Sequence, residues 1–233
     1  MNFQCYASGS AGNLYTVSND TTRLMIECGV PYKKIESLLN YDLHSIDSCL
    51  ISHLHKDHCK AHAEIAKAGI DLYMTLETRN GIGAQGHRIH IIKPKIMFSV
   101  KNFTILPFET EHDTAGSVGF VIKDNTDCDK LLYLTDSFYC KYRFNNLNII
   151  AVECNYSEEL SDENVNDGTV SRQLQNRIQR SHFSLTHLKE FLLSNDLSNV
   201  RQIYLLHLSN TNADEELIKR EIMQTTGKMV TAC

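Results

Sequence analysis

No stretch of this chain is apolar for anything near the ~18 residues that a helical membrane span requires. Met1-Asn2-Phe3-Gln4 lacks the basic-then-apolar layout of a secretory leader, so neither a membrane anchor nor export is expected. The eight cysteines, at 5, 28, 49, 59, 128, 140, 154 and 233, never fall in a Cys-x-x-Cys pair. Several sit inside strand-like apolar runs, as Cys28 and Cys49 do, which favours reduced thiols in a cytoplasm over a disulfide framework. Positive charge is not in excess either. The formal net charge is −5, so any polyanion must be held by local basic patches and by metal rather than by the protein as a whole. Internal repeats, low-complexity tracts and linkers are missing. What remains is 233 residues, 42% hydrophobic and 22% charged, which fits one domain, 1–233, with a real core.

Against that ordinary background one stretch stands out: Ser52-His53-Leu54-His55-Lys56-Asp57-His58-Cys59. Random placement of 11 histidines and 14 aspartates would produce His-x-His-x-Asp-His only about 0.001 times per chain, so a polar loop that merely happens to be histidine-rich is the weaker reading. It directly follows the apolar run Cys49-Leu50-Ile51, and a strand stopping at Ile51 would release these side chains at a sheet edge. Imidazoles mixed with a carboxylate suit a hydrolytic metal better than a closed structural one. Lys56 and Lys60 would add positive potential at the rim.

Around this motif the chain reads as alternating strands and helices. Residues 3–7 and 14–17 predict strands joined by Ser8-Gly9-Ser10-Ala11-Gly12-Asn13, either a tight turn or a nest of backbone N–H groups and hydroxyls, Ser10 and Asn13 among them, facing an anion. Residues 23–29 predict a third strand, and Pro31 opens a helix through Ile35, Leu38 and Leu39. Residues 48–51, 60–68 and 70–74 form a strand, helix, strand unit. Further strands are expected at 89–92, 96–100, 103–108, 119–123, 131–135 and 148–152. Residues 157–167 are acidic and polar and predict an exposed loop. A short helix at 171–180 follows, then one capped by Ser184 with Leu185, Leu188, Phe191 and Leu192 on its apolar face. Residues 202–206 are expected to be the last core strand. Asp214, Glu215 and Glu216 favour the start of a terminal helix that Gly227 ends. Two runs of strands, each followed by helices, predict an α/β fold: a four-layer αββα sandwich with its site on one edge.

Four more ligand-type residues terminate apolar strands: His112, Asp136, Glu153 and His207. Singly each reads as a satisfied surface or turn residue; their number beside the histidine motif is what raises them. His182 reads either as polar spacing before the Ser184 cap or as a working residue. Arg172, Arg177 and Arg180 form either a solvated helix face or a phosphate contact. His62, His87, His90 and His187 read as surface residues.

In that order, His53-x-His55-x-Asp57-His58, His112, Asp136 and His207 resemble the metallo-β-lactamase fold hydrolases, nearly end to end. The pattern is similar to the YycJ-like (WalJ-type) exonuclease branch, whose chains open with Ser-Gly-Ser-x-Gly-Asn, here residues 8–13, and end with His-Leu-Ser after a strand, here His207-Leu208-Ser209. Glu153 and His182 occupy the places of a Glu and a His in tRNase Z relatives, and the chain is too short for a β-CASP insertion. The family's usual Ile-Asp-Cys-Gly is Ile26-Glu27-Cys28-Gly29 here, a departure that touches the support of that edge and not the ligands. The resemblance implies two divalent ions, zinc or manganese: one on His53, His55 and His112, one on Asp57, His58 and His207, with Asp136 bridging. A hydroxide pinched between two such ions would be the nucleophile. Asp57, His182 and Glu153 are then the catalytic candidates, His182 as proton donor to the leaving oxygen and Glu153 orienting it. Ser10, Asn13, Asn155 and Arg177 are the candidate substrate contacts. The expected activity is phosphodiester hydrolysis of nucleic acid, DNA favoured and from an end. The alternatives are hydrolysis of a small thioester, lactone or cyclic nucleotide on the same fold, and a non-catalytic scaffold, which the intact ligand set argues against.

Overall fold

The computed structural model describes all of residues 1–233, which divide into two compact units: Met1–Glu109 with Thr114–Asp129, and Thr110–Asp113 with Lys130–Cys233. No helix is long and apolar enough to cross a membrane.

The first unit carries a six-stranded mixed sheet in the order β1 (Asn2–Ala7), β2 (Leu14–Ser18), β3 (Arg23–Ile26), β4 (Ser48–Leu50), β5 (Asp71–Met74) and β6 (Ile89–Ile91). β1, β2 and β3 pair antiparallel, whereas β3 to β6 run parallel. Parallel neighbours need crossovers, and α1 (Tyr32–Leu38) and α3 (His62–Lys67) supply two of them. Both helices turn Ile35 and Ile65 onto a core shared with Leu14, Met25, Cys49, Ile51, Leu72 and Met74. The helix expected at 60–68 is present as α3, and an additional turn precedes it. A short turn, α2 (Lys56–Cys59), lies inside the histidine motif and α3 begins only at His62. α4 (Leu76–Ile82) escaped sequence analysis. Its cap is visible in hindsight, since Thr75 accepts from the Thr78 N–H and Gly83 closes it at φ 68°, but Leu76 is exposed and the apolar face is thin. An antiparallel meander of β7 (Phe98–Val100), β8 (Phe103–Glu109) and β9 (Val118–Asp124) completes the unit.

Gly29, just past β3, is where the histidine motif touches the sheet. Cys28 N–H donates to the His58 carbonyl (2.8 Å), Asn13 N–H to the Asp57 carbonyl (2.8 Å) and Gly29 N–H to Asn13 (2.9 Å). A Cβ at Gly29 would lie far inside van der Waals contact with the Asp57 carbonyl, a backbone group that cannot rotate away. Gly29→Ala is therefore expected to cost about 2–3 kcal/mol as overpacking, a fall of roughly 5–10 °C in a thermal melt. A melt unchanged within a degree would mean that the motif's backbone is not held by this contact.

The second unit is built on four parallel strands in the order β13 (Met229–Ala232), β12 (Gln202–Leu206), β11 (Ile149–Glu153), β10 (Lys130–Leu134). β11 is buried along its whole length, as a central parallel strand covered on both faces must be, which explains its unbroken Ile149-Ile150-Ala151-Val152. β12 is thus not the last strand, contrary to expectation. β13 was overlooked because Met229 and Thr231 are exposed and only Val230 is buried, a weak apolar signal. Residues 157–167 are likewise not a loop: α5 (Glu158–Asn166) occupies them. Its inward face is polar, with Ser161 and Asn164 buried. Asn164 donates to the Thr211 carbonyl, and Ser161 accepts from Gln175 of α6 (Arg172–Gln179). A helix that buries hydrogen-bonded amides and hydroxyls leaves no hydrophobic period to read. α7 (Leu185–Leu193) is capped by Ser184, and α8 (Glu215–Thr226) runs from the Asp214 cap to Gly227 at φ 65°, both as expected.

Candidate metal centre

In the first unit β4 delivers the motif. His53 is 1% exposed and His58 wholly buried. Ser52 Oγ lies 2.8 Å from His53 Nδ1, which turns the ring's Nε2 towards His55 Nδ1 at 3.1 Å. Asp57 Oδ2 stands 3.5 Å from His58 Nε2. His58 Nδ1 faces Glu27 Oε1 at 3.4 Å, while Glu27 Oε2 accepts from the Ser52 N–H. Glu27 therefore sits behind His58 as a carboxylate that faces its imidazole. Its left-handed backbone, φ 62°, throws its side chain off the strand's alternation and towards the motif.

Asn13 does not occupy the place of a substrate contact. It is wholly buried, its Nδ2 lies 3.1 Å from His58 Nε2 and donates to the Asp57 carbonyl, and its Oδ1 accepts from the Gly9 N–H and the Tyr15 hydroxyl. The Ser8–Asn13 segment is a tight turn, with Gly9 and Gly12 at φ 119° and 140°, that clamps the motif from behind. Ser10 is exposed on its outside; Lys56 and Lys60 are exposed as well.

In the second unit the parallel strands end at one edge. Asp136 and His207 each lie just past a strand in the left-handed region, at φ 48° and 54°, and both are buried. His112 Nδ1 faces the Ser181 carbonyl at 3.1 Å, leaving its Nε2 3.9 Å from Asp136 Oδ2 and 3.2 Å from Asp113 Oδ1. His207 Nε2 lies 3.8 Å from the other oxygen, Asp136 Oδ1. His182 Nδ1 meets the fully buried Glu153 Oε1 at 2.6 Å, and its ring stacks on His207 with centroids 5.5 Å apart. Glu153 Oε2 accepts from the Ser137 and Phe183 N–H groups. Burial pulls the His182 pKa down, but the Glu153 carboxylate outweighs it and the pKa is raised. Burial pushes Glu153 up, and His182 brings it net down. Burial lowers His112, more than Asp136 and Asp113 raise it.

Asn155, expected at the substrate, is also turned inward. Its Nδ2 donates to the His207 carbonyl and sits 3.2 Å from His207 Nδ1, which also faces Glu153 Oε1 at 3.4 Å. Arg177 is exposed and reaches Asp113 Oδ2 at 3.4 Å. Sequence reasoning missed Ser52, Ser137 and Ser181, whose short side chains and carbonyls leave no pattern, and left the work of Glu27 open.

These distances test whether the donors suit an ion. Two donors sharing one ion at about 2.0–2.2 Å stand roughly 3–4 Å apart. His53 with His55 and Asp57 with His58 meet that spacing in the first unit. In the second, Asp136 Oδ2 faces the His112 nitrogen at 3.9 Å, and Oδ1 faces those of His207 and His182 at 3.8 Å each, too far for a hydrogen bond and within the spacing of donors that share an ion. Asp136, Glu153, His182 and His207 also offer ligand atoms that all lie within 4.8 Å of one another. The donor set of imidazole and carboxylate fits a divalent metal.

Residues 22–207 match the profile of the beta-lactamase superfamily domain. Among curated proteins the chain is 27% identical to the exodeoxyribonuclease YycJ of Bacillus anthracis, over 96% of this chain and 88% of that protein. It is equally 27% identical to the exodeoxyribonuclease WalJ of Streptococcus pneumoniae, over 92% and 84%. Among solved structures, the metallo-beta-lactamase fold protein YhfI of Bacillus subtilis superposes with a TM-score of 0.75 at 15% identity, covering 99% of this chain and 95% of that one.

Proposed function

Since this chain belongs to the beta-lactamase superfamily and has the metallo-beta-lactamase fold, we propose that it is a dinuclear metal-dependent phosphodiesterase acting on nucleic acid, a DNA exonuclease. It is a hydrolase, and its His/Asp groups point to divalent metal. His53, His55 and His112 would hold one ion, Asp57, His58 and His207 would hold the other, and Asp136 would complete the ligand set. The observation that carries this is the Asp136 carboxylate, buried at a strand end with an imidazole nitrogen facing each oxygen. Zinc or manganese bound there supplies Lewis acidity and activates water near neutral pH. The remaining work belongs to side chains. Glu27 and Glu153 face Nδ1 of His58 and of His207 and can accept the Nδ1–H of each ring. Glu153 holds His182 by Nδ1, which leaves Nε2 to carry a proton to the departing oxygen. Arg177 and Ser10, both exposed, are the candidate contacts to phosphate. The match of one profile across both units supports residues 1–233 as a single domain, and four cysteines packed in the core as thiols support a reducing compartment, the cytoplasm.

The deciding experiment incubates the purified protein with end-labelled DNA and with a panel of thioester, lactone and cyclic-nucleotide substrates, each with added Mn or Zn. Progressive shortening of the DNA, with about two metals per chain by elemental analysis, is the expected outcome. Intact DNA alongside turnover of a small ester would replace this reading with a small-molecule hydrolase on the same fold.

A further inference from the structure

The loop that follows Asp136 carries a pattern that the metal site does not use. Residues 138–144 read Phe-Tyr-Cys-Lys-Tyr-Arg-Phe, four aromatics interleaved with two cations and no acid. Its two ends are tied down. At the start, Ser137 Oγ donates to the Tyr139 carbonyl (2.7 Å) and Phe138 N–H to the Glu111 carbonyl (3.1 Å). At the far end, Arg143 donates to the Ser194 carbonyl (2.9 Å), Phe144 N–H to Asn195 Oδ1 (2.7 Å), and the Phe144 ring packs edge-on against Phe191. Between these anchors Phe138 and Tyr139 are turned out, 37% and 53% exposed. Two adjacent large rings left partly in water on a tethered backbone are candidates for a contact surface.

Cations flank them. Lys141 lies 5.5 Å over the Tyr142 ring and pairs with Glu111, and a cavity of about 160 Å³ opens beside Tyr139, lined by Lys141, Arg143, His187 and Glu190. Exposed rings beside cations are what an unpaired strand recognises: bases stack on the rings while phosphates follow the charge, and sequence is tolerated because every base has a π-face. Resting on the nucleic-acid reading above, we propose that Phe138 and Tyr139 form a stacking platform for single-stranded DNA, with Lys141 and Arg143 along its phosphates. The platform begins two residues after Asp136, so it would hold the bases next to the bond being cut. It makes an unpaired end the preferred substrate.

The test measures binding without cleavage. A fluorescein-labelled, phosphorothioate-linked oligo(dT) is titrated by anisotropy with the metal-loaded protein, alongside a strand of equal length made of abasic sites. Tyr139→Ala and the pair Phe138→Ala with Tyr139→Ala should raise Kd by roughly 10- to 100-fold on oligo(dT), the size of one or two lost stackings. Tyr139→Phe should restore it to within about 2-fold of wild type. On the abasic strand the alanine variants should lose nothing further. Equal Kd for wild type and the double variant on oligo(dT), or equal losses on both strands, overturns the platform. A protein that binds oligo(dT) in this ring-dependent way yet cleaves no phosphodiester supports the platform and sinks the nuclease reading.

Discussion

Asp136→Ala is expected to strip both metals and to lower hydrolysis by at least ~1,000-fold, a loss of about 4 kcal/mol in transition-state stabilisation. No single histidine change should match it. His112 and His207 each face one oxygen of this carboxylate, so its removal leaves both rings without their common partner, whereas losing His53 leaves Asp57 and His58 in place. Misfolding is not the expected route. Asp136→Asn keeps the side chain's shape, and asparagine tolerates the left-handed backbone at φ 48° at least as well as aspartate, so its melting temperature should not fall. Elemental analysis and kcat measured on both variants check the prediction. Full metal content in the alanine variant would place the ions elsewhere.

His182→Ala should leave metal content and fold unchanged, lower the melting temperature because the buried Glu153 carboxylate loses its partner, and cut turnover of DNA by ~100- to 10,000-fold, the usual size of a general-acid contribution. The deficit should shrink on a substrate that releases p-nitrophenolate, which departs without needing a proton. The 2.6 Å contact between His182 Nδ1 and Glu153 Oε1 commits that nitrogen, so the proposed proton donation would fall to Nε2. Glu153→Gln should give a weaker version of the same pattern. Its carbonyl oxygen can still accept from the Ser137 and Phe183 N–H groups, while its amide loses the charge that holds the ring as an acid. Equal losses on both kinds of leaving group would make His182 a phosphate or metal support instead.

The strand ends were readable because a parallel strand buried on both faces is written as an apolar run, and a polar ligand type stops it visibly. Asp136, Glu153 and His207 all follow such runs. The supporting layer was not readable. Glu27 lies 31 residues from His58 and Asn13 lies 45 away, and nothing local in either segment announces the partner. For the same reason Asn13 and Asn155 were expected at the substrate: a buried amide and an exposed one are spelled alike. α5 failed differently, since its inward face satisfies hydrogen bonds instead of burying hydrocarbon. β13 lies at an edge and contributes a single buried side chain, too few for a period of two to emerge.

Strand length in the second unit acts as a ruler. Leu134, Val152 and Leu205 lie on one rung of the parallel ladder, and Asp136 and His207 each stand two residues beyond it, each turned by the same left-handed kink. Removing one residue from β10 or β12 would draw Asp136 or His207 back by about 3.3 Å and exchange the faces of the strand. Spacing is therefore as constraining as residue identity. A deletion at residues 131–134 or 203–206 misplaces a chemically intact ligand, while the turn at 195–199, with exposed Asp196 and Ser198, can change length without moving one.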